Sequence, residues 1–258
     1  MPSRIETLDI VRKLTRYKSH ACQLSPDEID AELWGDREFV KLALRKDPGM
    51  LAYASEALRG DREVCLLARA ASWSGGCMKH CSDALRADKE FVLACVRANG
   101  SNLEFASDAL RADADVALAA VETTITAARH VAPELLSDRG FALRMVALQG
   151  DALERLPDAL RDDREVVMVA VRSGLNVFRH VSERLRDDPE VAKRCNLTKH
   201  DFEGRFSPAL RANKSVALYA VLEDAGVYEM LGDDLKADRD IRLARLGAMS
   251  AWDIGRLA

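Results

Sequence analysis

Apolar residues along this chain recur with helical spacing, and that recurrence itself repeats. Nine leucines mark it: Leu33, Leu58, Leu85, Leu110, Leu135, Leu160, Leu185, Leu210 and Leu235. They stand 25 residues apart, except for 27 between Leu58 and Leu85, where two extra residues fall in the stretch SWSGGCMKHC. A conserved-looking phrase surrounds them, as in SDALRADKEF (Ser82–Phe91), SDALRADADV (Ser107–Val116) and PDALRDDREV (Pro157–Val166). Three residues after each leucine comes an Asp, or Asn213 in one unit, whose short side chain is suited to accept from the free amides of a helix's first turn. Three further on an apolar residue opens a stripe with the spacing of one helical face, as in Val116, Ala119 and Ala120. Each unit is therefore predicted to open with an α-helix of about three turns, commonly closed by a glycine such as Gly100, Gly150 or Gly174.

The second half of the unit predicts a break followed by a short helix. Pro133, Pro157 and Pro208 fall two or three places before the leucine, where a continuous helix would lose a hydrogen bond and clash, at a cost of about 3 kcal/mol. Ser55, Ser82, Ser107, Ser182 and Ser207 stand three before it, in the place of an N-cap. A unit built this way is amphipathic and buries its apolar face only against its neighbours. The fold class read from the pattern is all-α: an α-solenoid of about nine 25-residue repeats, each a three-turn α-helix plus a short α or 3-10 helix. Residues 1–24 read as an N-terminal helix and cap, and residues 25–258 as one solenoid domain with a C-terminal cap. Ser25-Pro26-Asp27-Glu28 has the form of a capping box, and Trp34 and Trp252 are expected to cover the terminal faces.

The pattern L-x-x-A-S-x-x-L-R-x-D-x-x-V-x-x-A-V, carried by Leu103 through Val121, resembles the helical repeats of the family catalogued as domain of unknown function forty-one-sixteen. It is similar, more distantly, to leucine-rich-variant repeats that alternate α and 3-10 helices. The likeness runs from about Leu33 to Leu246. The unit from Leu185 to Leu210 departs from it, with Lys193, Arg194 and Asn196 at apolar or small positions and Gly204 in the second element. The resemblance implies an architecture and no established chemistry.

Composition narrows the function classes. The 258 residues are 48% apolar and 31% charged, within the range of folded domains. Charges interrupt every apolar run well short of the ~18 residues of a membrane span. The N-terminal stretch lacks the apolar core of a secretory signal, and Glu6 and Asp9 argue against a transit peptide. A formal net charge of −4 runs against a general nucleic-acid binder. Six cysteines in no paired framework fit the cytoplasm or another reducing intracellular compartment. Cys77-x-x-His80-Cys81 has metal-binding residue types but not the paired C-x-x-C modules of structural zinc. Cys81 and Cys95 fall at positions that other units fill with alanine or valine, so packing is expected and no metal or cofactor. No nucleophile elbow, zincin motif, P-loop or dinucleotide fingerprint is present, so no enzyme activity is expected.

What remains is a pattern of charge. Lys79-His80, Arg129-His130 and Arg179-His180 recur in every second unit, and Glu104 and Glu154 occupy the intervening ones. The row is expected to close as an inter-unit salt-bridge ladder, at about 0–1 kcal/mol per exposed pair. Its functional alternative is a band that grips an acidic partner or a phosphate. A second stripe, Arg59, Arg86, Arg111, Arg161, Arg186, Arg211 and Lys236, follows the leucines directly, and structural use is expected of it through helix dipoles and nearby Asp residues. The leading expectation is a non-enzymatic scaffold for protein–protein interaction, within a larger assembly. An RNA- or polyanion-binding solenoid and an accessory domain of a larger enzyme are the alternatives.

Overall fold

A computed structural model describes residues 4–13, 25–71, 76–174, 177–194 and 199–247. Every regular element among them is a helix, and no strand occurs among the described residues. The unit has three parts. A long α-helix comes first: Arg37–Lys46, Lys89–Ala98, Ala114–Thr123, Arg139–Leu148, Arg164–Ser173 and Lys214–Glu223 each have 10 residues. A 3-10 turn follows, as at Gly100–Phe105, Ile125–His130 and Gly150–Arg155. A four-residue α-helix carries the leucine, as at Asp83–Arg86, Asp108–Arg111 and Asp158–Arg161. Chain contacts gather these elements into two bodies, Met1–Leu135 and Leu136–Ala258. Within each, long helices of successive units pack side by side and the 3-10 turns form a second row. The fold class is an all-α helical-repeat solenoid, as the leucine register predicts.

The predicted caps are in place. The side chains of Asp36, Asp88 and Asp138 accept from the backbone N–H of Phe39, Phe91 and Phe141 at 2.7, 2.7 and 2.6 Å. Ser82 and Ser107 accept from Leu85 and Leu110 N–H at 3.4 Å. The aromatic residue three places inside each cap is then carried straight into the core, and Phe39 and Phe91 are fully buried. Removing such a side chain from water stabilises by about 1.5–3 kcal/mol. At the start of the first body Trp34 is buried, edge-on to Phe39 at 5.2 Å, and its indole N–H donates to the Pro26 carbonyl at 3.3 Å. Ser25 N–H donates to Glu28 Oε2 at 2.7 Å, within the expected capping box. Trp252 lies outside the described residues.

Backbone bonds stitch successive units together where the sequence shows nothing. At four of the 3-10 turns the N–H two places after the turn's last residue donates to the carbonyl just after the preceding unit's leucine: Ser82 to Arg59 at 2.9 Å, Ser107 to Arg86 at 2.9 Å, Ala132 to Arg111 at 3.1 Å, and Ser182 to Arg161 at 3.2 Å. Close backbone approach does the rest. A Cβ on Gly100 would fall 2.0 Å from the Ala120 carbonyl oxygen, and one on Gly150 would fall 2.1 Å from that of Ala170. Thr123 and Ser173 hydroxyls donate to the Val96 and Val146 carbonyls at 3.0 and 2.5 Å, satisfying the last turn of the preceding helix.

The unit from Leu185 to Leu210 does depart from the pattern. Its first helix is described over Pro189–Arg194, and Lys199–Gly204 is α-helical rather than 3-10. Phe202 and Phe206 fill the space, with ring centroids 5.5 Å apart and Phe178 5.2 Å from Phe206. Bulk thus replaces the small residues that regular units use.

A ladder of ion pairs also joins the units, at the long helices' first turn. The cation following each cap reaches forward to the next unit's cap and to the acid two places beyond it. Arg37 donates to Asp61 at 2.9 Å and to Glu63 at 2.5 Å, and Arg139 to Asp163 at 2.7 Å and Glu165 at 2.6 Å. Lys89 reaches Asp113 at 2.7 Å, Arg164 reaches Asp188 at 3.0 Å, and Lys214 reaches Asp238 at 2.8 Å. These bonds hold the Asp61, Asp163 and Asp238 carboxyls below the usual range, with partial burial opposing. A carboxyl depressed on folding contributes stability above its unfolded pKa, and that contribution is lost as pH falls through the folded value. Stability to urea is therefore expected to hold from neutral pH to about 5 and to fall steadily below about 4. Each exposed rung is worth about 0–1 kcal/mol. Asp163→Asn, which keeps a capping oxygen but no titrating group, is expected to flatten that acid limb. Urea midpoints between pH 7 and 3 provide the check.

Candidate functional site

The charged residues that the sequence singles out lie along the row of 3-10 turns. Several turns bury two consecutive apolar residues and present the third. Ala127 and Ala128 are buried before exposed Arg129, and Val177 and Phe178 before exposed Arg179. Lys79 follows buried Met78 in the same way, and Glu104 follows Leu103. The next residue, His80, His130 or His180, is half-buried in each case. The side chains that the sequence singles out thus share one edge, with Lys79, Glu104 and Arg129 on adjacent turns of the first body and Glu154 and Arg179 on adjacent turns of the second.

Arg179 and His180 form a defined pair. The Arg179 Nε–H donates to His180 Nε2 at 2.7 Å, so that ring nitrogen is an acceptor and the ring proton sits on Nδ1. Burial pushes the His180 pKa down and the Arg179 charge adds to this. Glu154, with Oε2 3.9 Å from Nε2, opposes it. The imidazole is therefore a neutral prop that orients a guanidinium, not a second positive charge. Arg161 also acts on His180 electrostatically, which fits the backbone bond from Ser182 to Arg161.

The expected ladder along this edge is not what forms. Among the described residues Lys79, Glu104 and Arg129 enter no ion pair, and Glu154 meets His180 in place of Arg179. The physical reason lies in preorganisation. At the helix starts one partner of every rung is already fixed as a cap by backbone amides, so only the cation must be ordered. On the 3-10 edge both partners are exposed, and the entropy of holding two long side chains offsets the weak attraction. The rungs that do form had a readable signal. Where the cation is replaced by Ala114 or Pro189, the acid two places beyond the next cap is also absent, as Gly140 and Ser215.

The second arginine stripe is structural, with a different partner from the expected Asp downstream. Arg86, Arg111 and Arg161 pair with Asp83, Asp108 and Asp158, three residues upstream. The Nε atoms of Arg59, Arg86, Arg186 and Arg211 are buried, so the stems cover apolar surface. Cys65, Cys81 and Cys95 are buried and in no disulfide, in line with packing. The side chain of Cys77 lies outside the described residues, among which no cluster of three or more His, Cys, Asp or Glu is placed to hold a metal ion. No described helix is long and apolar enough to cross a membrane.

Stacked α/3-10/α units with a charged outer edge define a helical-repeat protein. The chain belongs to the family described as Domain of unknown function (DUF4116), whose model matches residues 36–86, 68–111, 88–136 and 138–186. No curated protein and no solved structure matches the chain.

Proposed function

We propose that this chain is a non-enzymatic repeat scaffold that binds another protein along the edge carrying Lys79, His80, Arg129, His130, Arg179 and His180, as a subunit of a larger assembly. One observation carries the reading. Many recurring charges of the helices are taken up by caps, rungs and upstream pairs, whereas Lys79, Glu104 and Arg129 stand exposed on three adjacent turns without an ion-pair partner among the described residues. An RNA or other polyanion is the poorer fit, because Glu104 and Glu154 interrupt the band and the chain is net acidic. Buried thiols and the absence of paired cysteine motifs support a reducing compartment such as the cytoplasm.

Affinity purification from the native source with lysine-directed crosslinking tests the proposal. The expected result is a specific protein crosslinked at Lys79 and lost when Lys79→Glu and Arg129→Glu are combined. Turnover of a substrate dependent on one side chain, or a partner indifferent to both reversals, would remove the reading.

A further inference from the structure

The alternation of charge along the edge, combined with its spacing, describes the partner more closely than the word scaffold does. In the first body Lys79-His80 and Arg129-His130 stand two units apart, with Glu104 and half-buried Phe105 at the same register position of the unit between them. The bonds from Ser82 to Arg59 and from Ala132 to Arg111 place the arginine-bearing end of a short helix against both cationic turns in the same way. Each cationic turn thus has a cation, a half-buried imidazole and a flanking arginine backbone. The turn between offers a carboxylate beside an aromatic ring, which together suit a lysine or arginine head. Arg86, the corresponding arginine of that unit, is engaged by Asp83, as Arg111 is by Asp108.

Packed helical layers lie about 8–10 Å apart, so two units separate the cationic turns by about 16–20 Å. A peptide extended in the polyproline II form advances about 3.1 Å per residue with three residues per turn, so it covers that gap in about six residues with every third side chain on one face. A nucleic-acid strand places a phosphate about every 3.4 Å of duplex axis, so several phosphates would face Glu104. Resting on the scaffold reading, we infer that the first body binds an extended segment of its partner whose acidic side chains stand about six residues apart with one basic residue midway. The acids meet Lys79 and Arg129, and the base meets Glu104 and Phe105.

Fluorescence anisotropy of the full chain tests this with a labelled synthetic peptide carrying two glutamates six positions apart and a central lysine. The comparison probes are the same composition with the glutamates three apart, and a thymidine oligonucleotide. The matched peptide is expected to bind at least about tenfold tighter than the respaced one. Glu104→Lys is expected to weaken it about tenfold, and a peptide with glutamate at the centre to restore binding to that variant. Glu104→Gln, with no charge reversal, is expected to fall between, and circular dichroism of both variants separates binding loss from unfolding. Equal binding of the two spacings, or indifference to Glu104→Lys, overturns the inference. If no peptide binds while Lys79→Glu with Arg129→Glu still releases the crosslinked native partner, the spaced pattern is wrong and the scaffold reading stands. Tighter binding of the oligonucleotide, lost in that same double variant, overturns both.

Discussion

Gly150→Ala is expected to destabilise the second body by about 3 kcal/mol or more, the larger of the effects foreseen for a change this small. The added Cβ would fall 2.1 Å from the Ala170 carbonyl oxygen and 2.5 Å from Gly174 N, both backbone atoms of the adjacent unit. Backbone cannot move aside as a side-chain tip can, so the two units must separate. Overpacking of a tight contact costs about 1–3 kcal/mol and sometimes more, and separation here also strains the hydroxyl bond from Ser173 to Val146. Gly140→Ala is the matched control. Its Cβ meets only Asp138 Oδ1, at 3.3 Å, in an exposed first turn, where alanine is the better helix former by about 1 kcal/mol. Urea denaturation is expected to show a large loss for the first variant and no loss for the second. Equal midpoints would mean that the close approach is not a feature of the molecule in solution.

Phe91→Ala is expected to cost about 3–5 kcal/mol, the range for emptying a buried phenylalanine site. Phe91 is fully buried, three residues inside the Asp88 cap, and its ring lies on the helix that packs beside Ala114–Thr123. In a stack each unit depends on its neighbours, so the lost protection in hydrogen exchange is expected to concentrate in the flanking units of the first body and to spare residues 214–245. Phe91→Leu, which keeps most of the volume, is expected to lose less than about 1.5 kcal/mol. A uniform loss of protection along the chain would contradict the modular picture.

The parts of this fold that were legible in the sequence are those fixed by local chemistry. A cap oxygen serves amides two or three residues away, and a proline blocks a helix within one turn, so Asp88, Ser107 and Pro157 announce their elements without reference to the neighbouring unit. The rungs were harder to read, because Arg37 and Asp61 stand 24 residues apart and only joint variation at three positions, as with Pro189, Asn213 and Ser215, couples them. The opposite error occurred on the 3-10 edge. There the alternating signs of Lys79, Glu104 and Arg129 suggested pairs, but sequence carries no measure of how free two exposed side chains remain. Likewise His180 reads as a potential cation in the sequence, and only the 2.7 Å bond from Arg179 shows it to be an acceptor.

The matches to the family model at 36–86, 88–136 and 138–186 each take in two leucines, and the edge changes sign with that same doubled period. Removing one unit between Lys79 and Arg179 would leave every helix a neighbour to pack against, yet bring two edges of like charge into succession. In that stretch a loss of two units would keep the order of charges and a loss of one would break it, as a zip whose teeth come in two shapes closes only when cut between couples.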